Sequence, residues 1–208
     1  MNKLATEFMG TFILVLTIGC TVVGTNPGVI PPLAIGAVLM ALVFAGGHIS
    51  GAHYNPAVTA GLVVRGRCSA SDAVGYMVAQ TIGAVLAALV VGFLKAGAPV
   101  VVGNPDVARA LLAEFLFTFA LVYVVLNVAT AKGTANNSFY GLAIGSTVMA
   151  GAFAVGGISG GAFNPAVAIG ITVMGLSAWS NIWIFVVANF AAGIVAGAVF
   201  KALNPQDA

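Results

Sequence analysis

The chain has 208 residues, of which 61% are hydrophobic and only 6% are charged. Soluble domains carry about 25% charged residues, so this composition excludes an ordinary soluble protein and indicates an integral membrane protein. The net charge of +2 is too small to favour nucleic acid as a partner, and we expect the basic residues to set membrane topology instead.

Six apolar segments are long enough to span a bilayer as α-helices, because about 20 residues cross roughly 30 Å of hydrocarbon. We place them at residues 4–23, 32–50, 72–94, 108–130, 139–157 and 180–200, with a turn at 26–28 between the first two. The first segment carries Glu7 and lacks a small-residue cleavage site, so we interpret it as a retained span rather than a secretory signal.

Two similar stretches lie between spans two and three and between spans five and six. Ile49–Val58 reads ISGAHYNPAV and Ile158–Val167 reads ISGGAFNPAV. In each, Asn can cap a helix and Pro suits its first position. The apolar runs that follow have about nine residues, or about 14 Å at 1.5 Å per residue, half the hydrocarbon thickness. Each stretch therefore predicts a half-helix that enters the membrane without crossing it.

The two stretches belong to a longer internal repeat. Residues 33–58 align with 142–167, with 16 of 26 positions identical, and the segment from Glu7 aligns with that from Glu114. The offset grows from 107 to 109, which predicts a small insertion in the second half between its first two spans. Three spans per repeat predict an inverted topology. We expect one channel domain over residues 1–208, with repeats at about 1–100 and 104–204.

The distribution of basic residues predicts the orientation. With the N-terminus inside, Lys and Arg number five inside and two outside, which favours cytoplasmic termini. The inside set is Lys3, Arg65, Arg67, Lys132 and Lys201, and the outside set is Lys95 and Arg109.

Inversion brings the N-termini of the two half-helices together near the membrane centre. Their positive dipole ends disfavour cations there, and Asn55 and Asn164 can direct amide donors at a passing hydroxyl. The Gly-rich approaches, residues 46–51 and 156–161, are predicted to be non-helical and to present carbonyl acceptors. The candidate lining of the pore and its vestibules is His48, Ile49, Ser50, Gly51, His53, Ile158, Ser159 and Gly160.

Glu7 and Glu114 are the only carboxylates that we expect inside the spans. They are either proton-coupling groups or acceptors for the amides of the two re-entrant loops, and their symmetric placement in the repeats favours acceptors. No metal or cofactor site is expected, since the two histidines lack Cys or carboxylate partners at metal-ligand spacing. No nucleophile, base and orienting group occur together, so we do not expect an enzyme.

The chain closely resembles the major intrinsic protein family, the aquaporins and aquaglyceroporins. The matching segments are Glu7–Thr11, the loop Gly47–Thr59, Tyr76 with Ala79 and Gln80, and the second loop through Asn164, Pro165 and Ala166, which repeats Asn55, Pro56 and Ala57. The resemblance implies an all-α, right-handed bundle of six transmembrane helices plus two re-entrant half-helices. It also implies a homotetramer in the plasma (inner) membrane, passive flow of water and small neutral solutes, and Glu7 and Glu114 as loop anchors.

The sequence departs from the family at the selectivity filter. Family members normally have an Arg directly after the second Asn-Pro-Ala, and the filter positions here are Ile35, Ala152, Gly161 and Val167. Val provides neither charge nor donors, so we expect a wide opening that passes glycerol, urea or neutral metalloid acids such as arsenous acid. The alternatives are a mainly water-conducting pore, with Tyr54, Phe153 or Phe163 narrowing the filter, and an ion-coupled transporter.

Overall fold

The computed structural model describes residues 1–24 and 28–207, and it is all-helical. Within these residues six helices are long and apolar enough to cross a membrane. They are α1 (Asn2–Val22), α2 (Ile30–Ser50), α4 (Ala70–Leu94), α5 (Val107–Thr130), α6 (Tyr140–Ser159) and α8 (Ile182–Leu203). The six predicted spans are confirmed, with bounds that differ by at most three residues. The predicted turn at 26–28 lies mostly outside the described residues.

The two half-helices are α3 (Pro56–Arg65) and α7 (Pro165–Val173). Each begins after an extended Asn, because Asn55 has φ −157° and Asn164 has φ −160°. The Asn55 side chain accepts a hydrogen bond from the Ala57 amide at 2.8 Å, and that of Asn164 accepts one from the Ala166 amide at 2.9 Å. The predicted Asn-capped, Pro-initiated half-helices are therefore confirmed.

The helices pair according to the inverted repeat. Helix α1 packs on α4, α5 packs on α8, and α2 packs on α6 across the middle of the molecule. The half-helices are exchanged between the repeats: α3 packs on α8 of the second repeat and α7 packs on α4 of the first. The two repeats thus share one core.

Small residues permit this packing. A Cβ on Gly83 of α4 would lie 2.6 Å from the carbonyl oxygen of Phe8 in α1. In the second repeat a Cβ on Gly193 of α8 would collide with the carbonyl oxygen of Ala57 in α3. The glycine content is therefore used for close backbone approach, as in other membrane helix bundles.

The predicted insertion in the second repeat lies between α5 and α6. Nine residues join these helices and include a short 3-10 helix at Lys132–Thr134, whereas seven residues join α1 and α2. The two additional residues account for the change of offset in the alignment.

Candidate pore and its polar lining

The two asparagines that begin the half-helices are bonded to each other's loops. The Asn55 side-chain nitrogen donates to the carbonyl oxygen of Phe163 at 2.8 Å, and that of Asn164 donates to the carbonyl oxygen of Tyr54 at 2.8 Å. A side-chain amide has two N–H donors, so each asparagine keeps one. Both side chains are buried, and both line the main cavity described below.

The first re-entrant loop, residues 51–54, is bonded to Glu7 of α1. Oε1 of Glu7 accepts hydrogen bonds from the Ser50 hydroxyl at 2.6 Å and from the His53 amide at 3.0 Å. Oε2 accepts from the Tyr54 amide at 2.7 Å and from Nε2 of Gln80 at 2.8 Å. Glu7 is fully buried, and these four bonds occupy both of its oxygens.

Glu114 of α5 holds the second loop, residues 160–163, in the same way. Its Oε1 accepts from the Ser159 hydroxyl at 2.7 Å and from the Ala162 amide at 3.0 Å, and its Oε2 accepts from the Phe163 amide at 2.7 Å. Asn189 of α8 takes the place of Gln80. In the amide orientation that satisfies both of its polar atoms, Asn189 donates to Oε2 of Glu114 at 3.1 Å.

A main cavity of about 510 Å³ passes both asparagines. It contacts four of the six long helices, α1, α2, α5 and α6, and both half-helices, and most of the side chains along it are aliphatic. The four filter positions, Ile35, Ala152, Gly161 and Val167, all line it. Ile35 comes from α2, Ala152 from α6, and the other two from the loop and first turn of α7. The structure therefore brings Ile35 of the first repeat together with three residues of the second.

A second cavity, of about 490 Å³, opens on the face that carries both termini, and we call it the terminal-face cavity. Val43, Ala52, Val125 and Ile144 line both this cavity and the main cavity, so the two meet at one aliphatic ring. Together they trace a path from one side of the bundle to the other.

Among the described residues, the cationic side chains that line this path, Arg67 and Lys132, lie at its terminal-face end. His48, Arg67 and Lys132 line the terminal-face cavity. Among the described residues, no Asp or Glu lines either cavity. The middle of the path is therefore bounded by aliphatic side chains, loop backbone, His53, Tyr54 and the two asparagines, with the positive ends of two half-helices directed at it.

The predicted lining residues do not all line the path. His53 and Gly160 line the main cavity, and His48 and Gly51 line the terminal-face cavity. Ser50 and Ser159 instead direct their hydroxyls at the buried glutamates. Ile49 lines neither cavity, while Ile158 and Ser159 line a small side pocket on the other face.

The expectation of non-helical backbone over residues 46–51 and 156–161 is wrong for most of both segments. Helix α2 continues to Ser50 and α6 continues to Ser159, so Gly46, Gly47, Gly156 and Gly157 lie within helices. The chain leaves the helix only at Gly51, with φ 89°, and at Gly160, with φ 97°. The left-handed glycine ends each helix, as is common for helix C-termini, and the preceding glycines do not interrupt it.

The three aromatic residues considered for narrowing the filter lie in different places. Phe153 is 50% exposed on the outside of the bundle. Phe163 is buried against Phe117, with ring centroids 5.6 Å apart. Tyr54 contacts the main cavity, but its hydroxyl donates to the carbonyl oxygen of Leu42 at 3.1 Å, which holds the ring in the core. None of them stands between the four filter positions.

Sequence reasoning missed a buried cluster at the C-terminus. Asp207 accepts a hydrogen bond from Arg65 at 3.0 Å through Oδ1 and one from the backbone amide of Lys132 at 2.7 Å through Oδ2. The Arg65 guanidinium also lies over the Phe200 ring, 4.6 Å from its centroid. The cluster joins the end of α3, the α5–α6 connection and the tail after α8. The one signal for it in the sequence was a lone Asp in an otherwise uncharged tail.

Comparisons with known proteins agree with this geometry. A family model described as Major intrinsic protein matches residues 1–200. Aquaporin NIP1-4 from Oryza sativa subsp. japonica is 39% identical over an alignment of 207 positions, which covers 95% of this chain and 75% of that protein. Glycerol uptake facilitator protein-like 6 from Lactiplantibacillus plantarum is 36% identical over 217 residues, covering 100% of both chains. The solved structure of the aquaglyceroporin from Plasmodium falciparum matches with a TM-score of 0.85 at 24% identity, covering 99% of this chain and 97% of that one.

Proposed function

The chain belongs to the major intrinsic protein family, and from this premise we propose that it is a passive membrane channel for water and small neutral solutes such as glycerol. The observation that carries the proposal is the main cavity, which passes both half-helix asparagines and meets the terminal-face cavity. The protein is a channel and not an enzyme.

The central asparagines explain how a neutral solute crosses the middle of the path. Each keeps one N–H that can donate to a solute oxygen, and the rest of its hydrogen bonds are made to protein. The donors are held in place before the solute arrives, so little ordering is needed on passage. A cation would meet two positive helix ends and no carboxylate on the described cavity walls.

The filter formed by Ile35, Ala152, Gly161 and Val167 is proposed to be wide and to pass glycerol, urea and neutral metalloid acids such as arsenous acid. In support, all four residues line the main cavity and none bears a charge or a side-chain donor. An Arg at the last position would occupy the opening and add five donors. With Val in place of Arg, the size of the solute becomes the main basis of selection at the filter.

Glu7 and Glu114 are proposed to be loop anchors rather than proton carriers. Each accepts four hydrogen bonds, including two from backbone amides that have no other partner at membrane depth. Neither lines a cavity. An ion-coupled transporter would need a titratable group in contact with the path, so this arrangement favours a passive channel.

A permeability series in proteoliposomes tests the proposal. Light scattering should show water, glycerol, urea and arsenous acid crossing faster than in protein-free liposomes, without saturation and without dependence on a proton or sodium gradient. Water flux with no solute flux would contradict the solute channel and support the mainly water-conducting alternative. Flux that follows an ion gradient would overturn the passive mechanism.

We further propose that the protein forms a homotetramer in the plasma (inner) membrane, with both termini cytoplasmic and the two repeats, about 1–100 and 104–204, acting as one domain. Arg65, Lys132 and Asp207 share one face, and Lys3 lies 4.0 Å from Asp72 at the start of α4. The excess of basic residues on this face supports its cytoplasmic placement. Native mass spectrometry measures the subunit number, and an impermeant thiol reagent on cells should modify K95C but not Cys68.

A further inference from the structure

Two cationic side chains line the terminal-face cavity. Arg67 lies just after α3, and Lys132 lies in the α5–α6 connection. The five other Lys and Arg residues, all within the described part of the chain, line neither this cavity nor the main cavity. Membrane topology explains basic residues on this face, but it does not require that two of them line a cavity at the end of the path.

No Asp or Glu side chain balances these two charges. Among the five acids, Glu7 and Glu114 are bonded to the re-entrant loops, and Asp106 caps α5. The other two acids form ion pairs with Lys3 and with Arg65. Among the described residues, neither cation of the terminal-face cavity therefore has an acidic side chain within ion-pair distance.

Both cations keep free hydrogen-bond donors. Nζ of Lys132 donates to the carbonyl oxygen of Gln206 at 3.0 Å, which uses one of its three N–H groups. The guanidinium of Arg67 makes no hydrogen bond or ion pair with any described residue, so its five donors are available. Both side chains are exposed to the cavity. An anion that enters the cavity thus meets donors as well as positive charge.

One buried aspartate holds the backbone that carries both cations. The amide of Lys132 donates to Oδ2 of Asp207 at 2.7 Å, and Arg65, two residues before Arg67, donates to Oδ1 at 3.0 Å. The amide of Arg67 also donates to the carbonyl oxygen of Leu62 at 2.8 Å, which closes the turn after α3. Asp207 therefore links the two segments that bring the cations to one cavity.

The cavity wall beside Lys132 is also held in place. The side-chain nitrogen of Asn137 donates to the carbonyl oxygens of Val128 and Thr134, both at 2.6 Å. Its side-chain oxygen accepts from the amide of Phe139 at 3.0 Å. These bonds fix the α5–α6 connection without any ligand. Because the site is built before its ligand binds, little further ordering is needed on binding.

The donor set fits a phosphate group better than a carboxylate. A phosphate monoester carries a charge of about −1.5 to −2 and three strong acceptor oxygens, which match two cations. Arg binds phosphate through two parallel hydrogen bonds, and Lys binds it as a point charge. A carboxylate has one charge and would leave one cation unbalanced. The cavity volume of about 490 Å³ also has room for a small organic group, since small-molecule sites measure about 300–1,000 Å³.

A phosphate group bound in this cavity cannot continue along the path. The next part of the path is the aliphatic ring of Val43, Ala52, Val125 and Ile144, which lines both cavities. These side chains offer no hydrogen-bond donor, and the transfer of a charged group from water to such surroundings is costly. The bound group therefore stays at the terminal-face end, where neutral solutes must pass it.

We propose that Arg67 and Lys132 bind the phosphate group of a small phosphate monoester in the terminal-face cavity, and that the bound monoester slows the passage of neutral solutes. The slowing rests on the proposed channel function, whereas the binding does not. The site gives the protein a way to respond to a phosphorylated compound on one side of the membrane.

Isothermal titration calorimetry on the full-length protein in detergent measures binding without reference to flux. The probes are glycerol 3-phosphate and inorganic phosphate, and we expect one site per subunit that binds glycerol 3-phosphate more tightly. R67Q and K132Q should each raise the dissociation constant at least about fivefold, because each removes a charge-assisted hydrogen bond. The matched control is K201Q, which removes a charge at the end of α8 outside both cavities and should change the constant less than about twofold.

Three results of the titration would overturn the inference. An absence of binding would refute the site. An equal loss of affinity in K201Q and K132Q would show attraction by the general surface charge and not by the cavity. Inorganic phosphate that binds as tightly as glycerol 3-phosphate would refute the assignment to a monoester.

Glycerol uptake by proteoliposomes tests the effect on passage. Glycerol 3-phosphate is present on both sides, so that every inserted channel is exposed to it, and each variant is compared with its own flux in sodium chloride of equal osmolarity and ionic strength. The half-inhibiting concentration should equal the dissociation constant and should rise at least about fivefold in R67Q and K132Q but not in K201Q. Binding that leaves glycerol flux unchanged would overturn the inhibitory role. Flux in sodium chloride no faster than in protein-free liposomes would instead refute the channel function, and the titration would still decide the site.

Discussion

Replacing Glu114 by Gln separates a loop anchor from a proton carrier. A protonated Glu, like Gln, is neutral, has nearly the same shape and carries a donor on one of its two polar atoms, so a carboxyl that is neutral in the resting protein would tolerate E114Q with little loss of stability. An ionised anchor would not, because the new NH₂ group must face at least one N–H donor that the carboxylate accepted.

The structure gives the size of the effect. With the Gln nitrogen at the Oε1 position, the Ser159 hydroxyl can turn but the Ala162 amide, now 3.0 Å from a donor, loses its partner. An orphaned buried donor costs about 1–3 kcal/mol. The bond from the Phe163 amide also changes from charge-assisted to neutral, a loss of about 1 kcal/mol. We therefore expect E114Q to lower the free energy of unfolding by about 2–4 kcal/mol.

Equilibrium unfolding in mixed SDS and detergent micelles measures this loss. The control is D106N, since Asp106 is exposed at the start of α5 and accepts from the Arg109 amide at 2.9 Å, a capping bond that Asn also makes. D106N should change stability by less than about 0.5 kcal/mol. If E114Q is as stable as D106N, the anchor assignment is wrong and a protonated Glu114 must be considered.

Three further variants test the filter, the C-terminal cluster and the close packing of α3. V167R should lower glycerol permeability at least about tenfold in proteoliposomes, because an arginine side chain would fill the opening and replace size selection by fixed donors; unchanged glycerol flux would place the constriction elsewhere. D207A should lower the free energy of unfolding by about 3–5 kcal/mol, since it leaves Arg65 buried without its partner, and a loss below about 1 kcal/mol would show that water reaches Arg65. G193A should lower the free energy of unfolding by about 1–3 kcal/mol, because its Cβ would meet backbone that has no freedom to move. The control G92A, with open space around the added Cβ, should not lower it, and equal effects of the two variants would contradict the packing argument.

The half-helices could be predicted because their signals are local. Asn followed by Pro specifies a helix start within three residues, and the following apolar runs are too short to span. The inversion of the repeat then required that Asn55 and Asn164 meet. The alignment of Glu7 with Glu114 indicated in the same way that each serves one loop, because each repeat has one such glutamate and one re-entrant loop.

The backbone on either side of the loops could not be predicted equally well. The glycine-rich approaches, residues 46–51 and 156–161, suggested non-helical backbone, but α2 continues to Ser50 and α6 continues to Ser159. Glycine lowers intrinsic helix propensity by about 1 kcal/mol, and at membrane depth the need to satisfy every backbone group outweighs that cost. Helix ends inside a membrane are therefore set by where another acceptor, here a buried glutamate, becomes available.

The buried contact between α3 and the tail after α8 could not be predicted from the sequence. Arg65 and Asp207 are 142 residues apart, and their pairing depends on where the tail turns after α8. Residue type alone allows Arg65 several partners, and only the folded geometry selects Asp207.

The reciprocal bonds of the asparagines have a consequence for biogenesis. The acceptor for the Asn55 amide is the carbonyl oxygen of Phe163, 108 residues later in the chain. While the first repeat is being synthesised and inserted, this donor and the carbonyl oxygen of Tyr54 have no protein partner. Unpaired polar groups are costly in hydrocarbon, so the first re-entrant segment cannot settle at full depth until the second repeat arrives. Half of the chain, inserted alone, is therefore expected to be a substrate for membrane quality control and not a smaller channel.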